Sequence, residues 1–156
     1  MLRKMPRFGV RACAAVPLVK LVFAAGFTFS IGNPVAAQDF RFKTAAFVFR
    51  TEGCADSVKP QIGGTAEGLV NGVRRSMALN VVETSKPGVY AVGQNWPAEG
   101  AWVVALNGTC AEANAGAIVP IGPHGFIRES AKFLPRPATK AEIEQSLKAL
   151  VKGDTK

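Results

Sequence analysis

Leu69-Val70-Asn71-Gly72-Val73-Arg74 is the stretch whose reading decides the fold class. A type I′ turn needs positive φ at both central positions, and Asn followed by Gly tolerates it. Residues 69–70 and 73–74 should therefore pair across a two-residue hairpin. Outward from that turn the apolar pattern has period two. Phe42, then Ala45, Phe47 and Phe49; Met77, Leu79 and Val81; and Trp102, Val104 and Leu106 alternate with different neighbours. Side chains at that spacing share one face of a strand. Turn signals divide the runs at Gly63-Gly64, Lys86-Pro87-Gly88 and Trp96-Pro97-Ala98-Glu99-Gly100. Pro87 presets φ at the first central turn position and Gly88 accepts the second, so a strand over 89–92 should return antiparallel to 76–83. Short strands at this cadence predict an antiparallel sandwich or a small barrel, with a partly open sheet packed on a helix as the alternative.

The C-terminal third changes character. Ile118-Val119-Pro120-Ile121 is an apolar strand interrupted by proline, which suits an edge strand or a bulge. Phe126-Ile127 reads as a further short strand, and Pro135-Arg136-Pro137 makes 135–138 a linker. Thr139 and Glu142 have the spacing of a capping box, which opens a helix over 139–152. Ile143, Leu147, Leu150 and Val151 form one stripe on it, with Lys148 and Lys152 in its last turn and Gly153 able to end it. The stripe should pack on the sheet; the alternative is that it docks on a partner.

The N-terminus sets the compartment. A basic opening over 1–11 leads into an apolar run over 21–31, then Val35-Ala36-Ala37 ahead of Gln38. That is the order of a cleavable secretory signal, so cleavage is expected near Ala37. Residues 21–38 are uncharged, but Thr28, Ser30, Asn33 and Pro34 make their second half unfit for a retained spanning helix. The expected organisation is a signal over 1–37, a β-sandwich domain over 38–134, the linker 135–138 and the helix 139–152. The expected location is the bacterial periplasm or the exterior, with no stable membrane insertion after cleavage. Cys13 leaves with the leader; Cys54 and Cys110, an even pair in an oxidising compartment, should form a disulfide. The leader also holds five of the nineteen cationic residues and none of the eleven acids, so the formal charge of +8 shrinks to +3. Fourteen cations scattered among eleven acids lack the clustered footprint of a nucleic-acid binder, so no nucleic acid is expected as partner.

Little in the mature chain suggests chemistry. His124, the sole histidine, stands between glycine and proline with no nucleophile to serve. One histidine, one mature methionine (Met77) and two paired cysteines are too few for a zinc or copper site, so no metal and no cofactor is expected. Carboxylates are scattered; Glu52 and Asp56 flank Cys54 and are the best acidic pair for a small hydrolase. Gly63-Gly64-Thr65 lacks the lysine of a phosphate-binding loop. Trp102 alternates with Val104 and Leu106 and belongs to the core. Trp96, beside Pro97 in a turn, is either a lid on the core or an exposed anchor, which makes Trp96 and Pro97 the candidate binding surface.

Lys86-Pro87-Gly88-Val89-Tyr90, followed by Trp96-Pro97 and Glu99-Gly100-Ala101-Trp102-Val103-Val104, resembles a known rhythm. It is the "PG-x-Y … G-x-W" pattern of small exported immunoglobulin-like sandwiches of the YtkA/FixH-like kind. The resemblance spans about residues 64–107 and implies a mainly β, antiparallel immunoglobulin-like β-sandwich, here with one C-terminal α-helix. Some members of that group are associated with copper, which implies metal handling as an alternative function, but no functional residue carries over to this chain. The tryptophans lie close before the second cysteine and position 108 is glycine, which departs from the antibody pattern. The leading expectation is an exported, non-enzymatic binding or accessory module whose partner is an envelope protein. Periplasmic copper handling and a small acidic hydrolase are the alternatives.

Overall fold

Asn71 and Gly72 both take positive φ, 49° and 76°, and close the hairpin that the sequence implies. They join β3 (Gln61–Val70) to β4 (Val73–Ala78), with Val70 opposite Val73 and Leu69 opposite Arg74. The computed structural model describes residues 26–34 and 42–153. Two antiparallel sheets face each other. One has the order β1 (Thr28–Gly32), β2 (Ala45–Glu52), β6 (Val89–Gly93), β5 (Asn80–Glu83). The other runs β10 (Lys132–Leu134), β8 (Ala113–Gly122), β7 (Ala101–Cys110), β3, β4, with the short β9 (Gly125–Phe126) also on β8. An α-helix, α1 (Lys140–Gly153), ends the described chain.

Between the sheets, Phe47, Phe49, Tyr90 and Val92 from the first meet Ala66, Trp102, Val104, Leu106 and Val119 from the second. These are the alternate residues of their strands, so period two along the chain becomes one face per sheet. β7 is buried on its other face too. Ala101 and Val103 join Ile118 and Leu147 in a second cluster, where α1 lies on the outside of the six-stranded sheet. Residues 101–106 are accordingly all buried, an unbroken apolar run.

Several sequence expectations are corrected. Gly63-Gly64 is not a turn but the interior of β3. At Gly64, with φ 152°, a Cβ would strike the carbonyl oxygen of Ala105 on the neighbouring strand, so the glycine serves a close backbone approach. Phe42 and Ala45 do not share a face with Phe47 and Phe49. A register shift between Ala45 and Phe47 sends them to the outer side, where they pack with Val48 and Ala91. Residues 76–83 divide at Leu79: β4 belongs to one sheet and β5, which pairs with β6, to the other. β8 is no edge strand either. It lies between β7 and β10, and Pro120 is tolerated because its open side falls between β10, which pairs residues 116–118, and β9, which pairs 121–122.

The apolar stripe of α1 is narrower than expected. Leu147 is buried and Ile143 and Leu150 are partly so, whereas Val151 is 38% exposed. The N-terminal box does form: Thr139 Oγ1 accepts from the Glu142 amide at 3.3 Å and Glu142 accepts from the Thr139 amide at 2.8 Å. The largest departure is β1. Residues 28–32, which the sequence places in a leader outside the domain, pair with β2 from Thr28 opposite Glu52 to Gly32 opposite Val48. Phe27 and Phe29 are each 4% exposed. Phe27, Phe29 and Ile31 alternate with Thr28 and Ser30, a strand period concealed inside an apolar run. The expected cleavage point at Ala37 lies outside the described residues.

Candidate functional site

The turn between β6 and β7 positions the residues singled out for binding. Asn95 Nδ2 donates to the carbonyl of Ala78 at 2.7 Å and Gln94 Nε2 to that of Trp96 at 3.4 Å, which ties the turn to β4 and to itself. Trp96 is only 4% exposed and its ring lies 6.4 Å from that of Trp102. It is therefore a lid on the core and not an exposed anchor. Trp102 lies flat against Gly68, directly opposite it on β3, and its indole N–H donates to the carbonyl of Glu99 at 2.8 Å. Gly68 has no Cβ because the ring occupies its place.

What the surface presents is the exposed rim, Pro97 and Ala98, over a recess of about 500 Å³. Ala46, Trp96, Trp102, Ile121 and Pro123 contribute to its wall, with the Gln94 amide as a polar handle. No titratable side chain lines it. Such a recess can seat an apolar or proline-bearing segment and offer one amide to orient it, but it has no group with which to move a proton.

The other singled-out residues go to separate places. His124 is exposed in the turn between β8 and β9. Met77 is half-buried on β4 against the sandwich core. Cys54 and Cys110 are joined as a disulfide with Cα atoms 5.8 Å apart, linking the segment after β2 to the end of β7. Glu52 accepts from the Ser30 hydroxyl at 2.9 Å, and Asp56 is exposed in the following turn. Among the described residues, no three His, Cys, Asp or Glu side chains group to hold a metal ion.

Sequence reasoning missed the polar seam between the first hairpin and α1. Arg74 bridges Glu67, at 3.3 Å, and Glu144 of the helix. Burial pushes the Glu67 carboxyl up, but hydrogen bonds from Ser76, Thr65 and Arg74 outweigh it and hold the group below the ordinary carboxylate range. Nothing in residues 67–76 could have shown this, because Glu144 lies 70 positions from Arg74.

No family model, no curated protein and no solved structure matches this chain.

Proposed function

We propose that this protein is an exported, non-enzymatic binding module of the bacterial envelope, freed of its leader after Ala37, with the rim of the Trp96 recess as a contact surface. Its immunoglobulin-like character belongs to the same reading. The observation that carries it is the recess itself, walled in part by Trp96, Trp102, Ile121 and Pro123, rimmed by Pro97 and lined by no titratable group. The disulfide is compatible with an oxidising compartment. Among the described residues no helix is long and apolar enough to cross a membrane.

The test is capture from a detergent-solubilised envelope with the processed protein as bait, beside a bait carrying Pro97→Asp and Ala98→Arg. Both positions are exposed, so the variant should fold as the parent does. The expected result is a partner enriched on the parent and lost from the variant. Equal recovery on both would remove the recess from the reading. Turnover of an ester or glycoside panel that disappears in Glu52→Gln would replace the reading with an enzyme.

A further inference from the structure

β1 is a strand that the sequence assigns to a removable leader, and it is seated as part of the core. Five of its residues pair with residues 48–52 of β2. Its inward rings are specifically accommodated. The Phe29 ring stands edge-on to Phe49 at 5.4 Å and to Phe27 at 5.6 Å. Opposite them, β7 carries Gly108, where a Cβ would lie 2.7 Å from the tip of Phe29 and 3.0 Å from Phe27. A glycine within an otherwise side-chain-filled strand is a hollow, which the Phe29 and Phe27 rings fill together with the tip of Ile62 from β3. On the outward side, the Ser30 hydroxyl of β1 donates to the Glu52 carboxylate of β2 at 2.9 Å.

Removal of this strand would leave two things open together: the hydrogen-bonding edge of β2 over 48–52, and the hollow above Gly108. The register shift that could twist β2 away from pairing lies between Ala45 and Phe47, clear of that edge. An edge without a bulge, beside a vacated apolar slot, is a template for another extended strand. We infer that the seat of β1 is an acceptor groove, filled by residues 27–32 in the unprocessed chain. After cleavage at Ala37, it takes an extended segment of another envelope protein that pairs antiparallel to β2. The chemistry of that segment is given by the strand seated there: aromatic or large aliphatic side chains at alternate positions, small or hydroxylated ones between. This rests on the export and processing proposed above.

The probe is a labelled peptide of residues 26–33. It should not bind the full chain, whose groove is occupied. It should bind saturably to the full chain carrying Phe29→Glu, which expels its own strand, and to periplasmic protein whose intact mass shows a start at Gln38. A peptide with Phe29→Glu should bind at least tenfold more weakly. Gly108→Leu in the processed protein, which fills the hollow, should weaken binding as much. If the processed protein is unstructured alone and gains strand content on adding the peptide, that supports the groove equally. The inference falls if periplasmic protein retains residues 27–32, or if the peptide neither binds nor structures either form. If an envelope partner is captured but the peptide does not compete with it, the groove falls while the binding reading stands.

Discussion

At the scale of single residues, the glycines of β3 mark where two strands and a ring come closest. Gly68→Ala forces a methyl into the Trp102 ring, and the cost of such overpacking is about 1–3 kcal/mol. Urea denaturation followed by tryptophan emission should show that loss. Gly64→Ala should be worse, because its obstacle is the backbone of Ala105, which cannot turn aside, and its φ of 152° disfavours a side chain. Sequence alone reads a Gly-Gly pair as a corner, since the partner strand that demands the missing side chain lies some forty residues away. The opposite holds for Asn71-Gly72, whose conformation is dictated locally and was legible from two letters. Trp96 illustrates the middle case: its neighbours fix a turn, but only the position of Trp102 decides that the ring turns inward.

At the scale of elements, α1 was legible to within one residue at its start, because capping and amphipathic spacing are local. Its grip on the sheet is testable through Ser146, 5% exposed, whose hydroxyl has no hydrogen-bond partner. An unsatisfied buried hydroxyl costs about 1–3 kcal/mol, and alanine is the better helix former, so Ser146→Ala should raise the unfolding midpoint. The helix start also has a pH signature. Hydrogen bonds from Arg136 and from the amide and hydroxyl of Thr139 draw the Glu142 carboxyl down to about 2. A carboxyl lowered on folding stabilises the folded state fully above its unfolded value near 4.5. That contribution fades as pH falls toward 2. The protection factor of the Thr139 amide, its exchange rate relative to the intrinsic rate at each pH, should therefore fall between about pH 4.5 and 2, and Glu142→Gln should abolish that fall. β8, an interior strand despite Pro120, is not legible from the sequence for the converse reason. A proline bars a strand from the interior of a sheet only where its missing N–H would meet a partner, and that depends on which neighbours stop short.

At the scale of the whole molecule, the two layers and the disulfide were readable because period two, and two cysteines beyond the N-terminal apolar run, need no tertiary information. The strand exchange at Leu79 and the place of β1 were not, because both depend on which sheet a segment joins. Cys54→Ser should cost about 2–5 kcal/mol in urea unfolding, the usual cost of losing a native cystine from a small domain. Reductant should lower the parent by a similar amount and leave the variant unmoved.

The same cystine, joining residues 56 positions apart, makes a closed covalent loop of everything from β3 to β7, with β8, β9, β10 and α1 as a tail outside it. A motor that threads polypeptide from the C-terminus would strip that tail as a single file. At Cys110 it would meet a ring that can pass only as a doubled strand. A pore wide enough for one extended chain must therefore receive this protein before its sulfurs have joined, and an unfoldase coupled to a peptidase but lacking a thiol reductant would release a shortened remainder still closed by its cystine.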